Sequence, residues 1–137
     1  MFEYVTLEDG MELGSLDAFR PFKCIVLISQ EVSEEWQHKV SKWLVASGCL
    51  YMMAWGHKCE TWDDSVDFAH LEQSGWDVAS EDQFVMTTWH SDESLEDVFF
   101  FAKCVAKHPT VELEKLVVLD IGVADREDYL QTIFDRV

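Results

Sequence analysis

The chain has no lysine or arginine between Lys58 and Lys103, although its 137 residues include ten of them. The same window holds twelve aspartates and glutamates, so residues 59–102 carry a net charge of −12 out of −17. The flanking parts are nearly balanced, since residues 1–58 sum to −3 and residues 103–137 to −2. A field of one sign repels nucleic acid and anionic membranes, and it attracts basic proteins or cations. We therefore expect a basic protein partner, and neither a nucleic-acid nor a membrane partner.

Other features that the chain lacks limit its class. Glycine and proline supply only eight residues while hydrophobic residues make up 48 %, which argues against a disordered acidic chain. No apolar run approaches the roughly 20 residues that a bilayer span needs. The first residues show neither the basic segment nor the apolar core of a secretory signal, and the four cysteines have no C-x-x-C spacing. We therefore expect a reduced, cytoplasmic protein with one domain over 1–137, and we leave its oligomeric state open.

Short apolar runs alternate with helical patterns from residue 22 onward. These runs predict buried strands at 22–29, 49–55, 84–89 and 116–121. Strands separated by helices of about 10–15 residues imply right-handed crossovers and a mainly parallel sheet. The prediction is a small three-layer α/β domain with a four-stranded sheet and helices on both faces. Residues 1–21 fit less well, because 2–7 alternates like a strand and suits either a fifth N-terminal edge strand or an arm over the core.

Polar residues mark where the predicted helices begin. Ser33 is suited to cap the first helix, because its side chain can accept a backbone hydrogen bond. Thr61, followed three residues later by Asp64, is typical of a capping box for the second helix. The remaining predicted caps are Ser91 or Asp92 for the third helix and Asp125 for the fourth.

Ligands of open parallel sheets bind at the carboxyl ends of the strands. The loop after the first strand has neither glycine nor lysine, which disfavours a phosphate cradle, and no cofactor is expected. The loops after the second and third strands carry residue types that bind zinc, namely His57, Cys59, His90 and Asp92. Their spacing is no metal signature. The favoured interpretation is that the histidines cap helices and bond to nearby carboxylates.

An enzymatic alternative uses the same loops. Cys59 would be a thiol nucleophile, with His57 or His90 as its base. A helix N-terminus favours the thiolate, whereas the surrounding acids oppose it. Asp120, at the end of the fourth strand, could join Asp92 in holding magnesium, although a lone strand-end aspartate is more often a cap. A metal-dependent or thiol-based hydrolase is therefore the alternative to a binding protein.

Two tryptophans in the acidic window are the best candidates for exposed anchors. Trp62 and Trp76 lie outside any strong apolar periodicity, and tryptophan is enriched at the energetic centres of protein interfaces. The alternative for Trp76 is that it plugs a loop onto the sheet. The acids expected to surround the anchors are Asp63, Asp64, Asp67, Glu72, Asp77, Glu81 and Asp82. Concrete forms of this function are an immunity protein for a cationic toxin nuclease, or an inhibitor that mimics nucleic acid.

Several unusual strings carry a resemblance to a protein family. LYMMAWG at 50–56, WDDSVD at 62–67, FVMTTWH at 84–90 and HPTVEL at 108–113 resemble an uncharacterised family of small bacterial proteins. The resemblance covers roughly residues 20–122. It implies a bacterial, cytosolic origin and brings no function and no site residues with it.

Overall fold

The computed structural model describes residues 1–77 and 80–137, and these contain five β-strands and four α-helices. The strands are β1 Glu3–Leu7, β2 Phe22–Ile28, β3 Cys49–Gly56, β4 Met86–Trp89 and β5 Lys115–Ile121. The helices are α1 Glu34–Ala46, α2 Cys59–Gln73, α3 Leu95–Cys104 and α4 Glu127–Arg136. All strands pair in parallel, in the order β1-β5-β2-β3-β4. The predicted α/β class and parallel sheet are confirmed, with five strands. None of the described helices is long and apolar enough to cross a bilayer.

The N-terminal segment supplies the fifth strand. β1 pairs with β5 from Glu3 opposite Val117 to Leu7 opposite Ile121, which decides between edge strand and arm. The chain that follows β1 lies on α1, because the indole N–H of Trp36 donates to the Met11 carbonyl at 3.1 Å. The Trp43 indole holds the same segment through the Gly14 carbonyl at 2.7 Å.

Side chains alternate along the central strands and divide the core into two clusters. Cys24 and Val26 of β2 belong to the first cluster, while Ile25 and Leu27 belong to the second. Successive strand side chains point to opposite faces, so the clusters lie on opposite sides of the sheet. The first cluster contains residues of α1 and α2, and the second contains residues of α3 and α4. Each fully buried aliphatic side chain stabilises the fold by roughly 1.5–3 kcal/mol.

The adjacent strands β2 and β5 form the topological switch point of the sheet. The chain leaves β2 toward α1 and leaves β5 toward α4, and these helices contribute to different core clusters. A crevice between diverging connections is the usual ligand position in open parallel sheets.

The start of α2 differs from the prediction. α2 begins at Cys59, directly after Lys58, whose φ of 51° places it in the left-handed region. Thr61 therefore lies inside the first turn, where its hydroxyl donates to the Lys58 carbonyl at 2.7 Å. The predicted Thr61 cap is wrong because the turn after β3 is tighter than assumed and brings the helix forward.

The start of α3 also differs from the prediction. Ser94, not Ser91 or Asp92, is the N-cap, and it forms a capping box with Asp97. The indole of Trp55 donates to the Glu93 carbonyl at 2.8 Å, which ties the preceding loop to the end of β3. Ser33 is the N-cap of α1, as predicted, and accepts from the Trp36 amide. The N-cap position of α4 is Arg126 instead of the predicted Asp125, which lies one residue earlier and accepts from the Glu127 amide.

Candidate partner-binding surface

Two of the residues predicted at the carboxyl-end rim, Cys59 and His90, are buried. The Cys59 sulfur lies 3.6 Å from the Ser91 hydroxyl. The two ring nitrogens of His90 are bonded to the Thr88 hydroxyl at 2.9 Å and to the Glu93 carboxylate at 3.0 Å. Both functional atoms of the imidazole are therefore occupied, and the thiol bonds to a hydroxyl instead.

The other two rim residues, His57 and Asp92, are exposed. Across residues 1–77 and 80–137, no three histidine, cysteine, aspartate or glutamate side chains are placed to hold a metal ion. No hydrogen bond joins Cys59 to His57 or His90 in those ranges. Neither the metal-site alternative nor the thiol–imidazole alternative gains support from these contacts.

A polar network that the sequence did not reveal lies at the switch point. The Asp120 carboxylate is 1 % exposed and accepts from the Tyr4 hydroxyl at 2.6 Å. Arg126 donates to both oxygens of the same carboxylate, at 3.1 and 2.6 Å, and to the Ser29 hydroxyl at 3.2 Å. Burial, together with the hydrogen bond to Asp120, raises the pKa of Tyr4 to about 12. Asp120 is thus committed to an internal ion pair, which contradicts its suggested role as a magnesium ligand with Asp92.

Trp62 is buried, with 1 % exposure, so its prediction as an exposed anchor is wrong. The prediction missed the apolar stripe that Trp62 forms with Val66 and Ala69. These residues are spaced four and three apart on one face of α2, and this face packs in the first core cluster. Trp76 is 61 % exposed, and its ring lies edge-on to Phe68 at 5.4 Å.

The acids predicted around the anchors occupy different environments. Asp63 is only 7 % exposed, and its Oδ1 has no hydrogen-bond partner among the described residues. Glu72 is half-buried, and its carboxylate lies 3.1 Å from His38 Nε2. The exposed members of the set are Asp64, Asp67, Asp77, Glu81 and Asp82.

Helix α2 runs antiparallel to β4 and lies directly beside it. Cys59 contacts Ser91 at one end of the pair, and the Thr87 hydroxyl donates to Asp67 at 2.7 Å farther along. Asp63 lies one helical turn before Asp67, which places it at the level of Trp89. Burial raises the pKa of Asp67, and the negative charges of Asp63 and Asp64 raise it further. In the described part of the chain, none of these carboxylates forms an ion pair with a cation.

A family model for a domain of unknown function, DUF7684, matches residues 2–137. The chain belongs to this family. Membership agrees with the expected likeness to an uncharacterised family. The strings said to carry that likeness and the bacterial origin stay predictions. A crystal structure of a hypothetical protein is 12 % identical, with a TM-score of 0.45, and the match covers 92 % of this chain and 76 % of that chain. A comparison with curated protein sequences finds no match.

Two cavities of this DUF7684 chain lie away from the carboxyl-end rim. One, of about 390 Å³, is lined in part by Arg20, His70 and Asp82, and burial lowers the pKa of His70. The other, of about 480 Å³, includes Lys23 and Lys103 in its lining. Both of these lysines donate to backbone carbonyls near the C-terminal ends of α3 and α4. Their positive charges therefore stabilise the negative ends of these helix dipoles.

Proposed function

We propose that this protein is an acidic binding module that recognises a basic surface on another protein. The observation that carries the proposal is the α2–β4 face, defined by Asp63, Asp64 and Asp67 together with strand β4. A buried carboxylate oxygen without a partner, as in Asp63, costs free energy unless a hydrogen-bond donor reaches it, and a cationic donor also offsets the charge. An arginine or lysine of a partner would supply that cation, since the chain itself supplies none between residues 59 and 102.

Exposed aromatic side chains are further candidates for contact with a basic partner. Trp76 and Phe68 form an exposed pair, and both Phe68 and Glu72 contact His38 of α1. Trp89 is 52 % exposed at the end of β4. Aromatic anchors within a charged rim are typical of interfaces in which a few residues dominate the binding energy. We retain Trp76 as an anchor, add Trp89, and remove Trp62. The acids of the proposed surface are Asp63, Asp64, Asp67, Glu72, Asp77, Glu81 and Asp82.

The partner class that fits best is a cationic toxin or nuclease, with this protein as its immunity or inhibitor protein. Surfaces that bind nucleic acid carry clustered lysine and arginine, so an acidic face can occupy them in place of phosphates. We propose that the protein acts in the cytoplasm, because a reducing compartment suits its four free cysteines. No contact described above favours the hydrolase alternative in a comparable way.

The test begins with capture of partners from the source cells on wild-type protein at low salt, followed by identification and purification of the captured protein. Association rates are then measured by stopped-flow fluorescence from about 50 to 500 mM NaCl. We expect a cationic partner whose association rate falls steeply with salt. The variant Asp64→Asn/Asp67→Asn should associate about fivefold more slowly at low salt, because surface charge acts mainly on the encounter rate.

The matched control is Glu112→Gln/Glu114→Gln, which removes the same charge from two exposed acids outside the face. It should change the association rate by less than about twofold. Capture of only neutral or acidic proteins, salt-independent association, or equal effects of the two variants would each reject the proposed function.

A further inference from the structure

Building on the proposed function, we infer that strand β4 is the docking edge of the module. An extended, basic segment of the partner would pair with β4 as a sixth strand and place its cationic side chains against Asp63 and Asp67. The proposal rests on three features of the described residues: the open edge of β4, the acids beside it, and the match between their spacings.

Among the described residues, the backbone groups on the outer edge of β4 have no hydrogen-bond partner. β4 is the last strand of the sheet in the part of the chain that the structure describes, and it pairs there with β3 alone. The His90 amide donates to the Ala54 carbonyl at 2.9 Å, toward β3. Alternate residues of a parallel strand point their N–H and C=O to the same side, so Thr88 also faces β3. Thr87 and Trp89 therefore direct their backbone groups outward, where an added strand can pair with them.

The residues of β4 do not block pairing of its outer edge with another strand. Native edge strands are commonly blocked by lysine, proline or a bulge, and β4, Met-Thr-Thr-Trp, has neither a charged residue nor a proline. Its register with β3 runs without a shift from Tyr51 opposite Met86 to Ala54 opposite Trp89. Its four residues span about 13 Å, which limits the added strand to a short segment.

The spacing of the acids beside β4 matches the spacing of alternate side chains in an added strand. Alternate side chains of an extended strand point to one face and are about 6.6 Å apart. Asp63 and Asp67 are one helical turn apart on α2, about 6 Å along its axis. The Thr87 side chain, bonded to Asp67, shows that this face of β4 is the one next to α2. Basic side chains at positions i and i+2 of an added strand would therefore each meet one carboxylate.

The opposite edge of the sheet provides a comparison. In β1 the Leu7 carbonyl accepts from the Gly122 amide, so Thr6 directs its backbone groups outward just as Thr87 does. Among the acids near β1, Asp120 is already paired with Arg126, whereas neither Asp63 nor Asp67 beside β4 forms an ion pair with a cation of the described residues. Charge complementarity with a basic segment therefore favours β4 over β1.

The test uses two synthetic seven-residue peptides, one of alternating arginine and valine and one of alternating glutamate and valine. Binding is measured by calorimetry at about 50 mM NaCl, and amide hydrogen exchange of Thr87 and Trp89 is followed by NMR. We expect the basic peptide to bind and the acidic peptide not to bind. Exchange of the two outward amides should slow by about tenfold at saturation.

Edge variants provide the specific test. Thr87→Pro removes one outward N–H without removing a hydrogen bond to β3. It should lower the affinity for the basic peptide by about tenfold. Thr87→Val keeps the N–H and should change affinity by less than about twofold. Thr6→Pro, the same change on the other edge, should leave affinity unaltered.

Several results would overturn the edge inference: no binding of the basic peptide, equal binding of the acidic peptide, full affinity of Thr87→Pro, or unprotected Thr87 and Trp89 amides. If Thr87→Pro does not fold, hydrogen exchange on the wild-type protein decides the question. A captured basic partner that binds Thr87→Pro as well as wild type, with steep salt dependence, would reject docking on β4 and leave the proposed function standing.

Discussion

Asp120 illustrates how one residue can hold several elements together. Its carboxylate accepts from Tyr4 of β1 and from two nitrogens of Arg126, the residue that precedes α4. Taking this ion pair out of water is costly, and the geometry offsets that cost because both oxygens are bonded. The Asp120–Arg126 pair thereby joins β1, β5 and the start of α4 at the switch point, where other α/β proteins bind ligands.

We expect Asp120→Asn to lower the free energy of unfolding by about 2 kcal/mol, because it removes charged hydrogen bonds from Arg126, whose side chain stays partly solvated at 29 % exposure. Urea denaturation followed by circular dichroism measures the change. Asp17→Asn is the control, because it breaks a 3.4 Å pair with Arg20 in which both side chains are mostly exposed. It should cost less than about 0.5 kcal/mol. Similar losses for both variants would show that the buried pair contributes little.

At the scale of elements, local patterns predicted the helices and strands well and their ends less well. The predicted second strand at 49–55 is Cys49–Gly56 in the structure, since an apolar run bounded by turn residues is a local signal. β4 was predicted to begin at residue 84 but begins at Met86. The Phe84 carbonyl instead accepts from the ring of His108 at 2.7 Å, a contact between distant residues that no local pattern contains.

The start of α3 supports a direct test of which residue caps it. Ser94→Ala should lower the free energy of unfolding by about 1 kcal/mol, because the Asp97 amide loses its acceptor. Ser91→Ala removes one of the two caps that the sequence predicts, Ser91 or Asp92, and loses only the long 3.6 Å contact with the Cys59 sulfur, so it should change stability by less than about 0.5 kcal/mol. Thermal and urea unfolding of both variants give the comparison. A larger loss for Ser91→Ala would restore the sequence-based cap.

For the whole molecule, the dominant property is the net charge of −17 and its concentration in one window. Charge of one sign destabilises a compact state through self-repulsion, and salt weakens that repulsion. The repulsion is strongest where acids are close together, as on the α2–β4 face. The same arrangement that would attract a basic partner therefore costs stability in the free protein.

We expect Tm to rise by roughly 4 °C between about 20 and 300 mM NaCl, measured by scanning calorimetry. At low salt, Asp64→Asn/Asp67→Asn should raise Tm more than Glu112→Gln/Glu114→Gln, although both pairs remove the same charge. A Tm that is independent of salt, or a greater effect of the second pair, would contradict clustered repulsion on the α2–β4 face.

The sequence by itself determined the α/β class and the charge asymmetry, because strand runs, helical periodicity and charge are properties of neighbouring residues. Only the tertiary structure decided that β1 joins the sheet, that Trp62 is buried, and that Asp63 lies beside the open edge of β4. It also brought Tyr4 to Asp120 across 116 positions of sequence. These outcomes depend on which distant segments pack together, and packing is settled by the shape of the whole core.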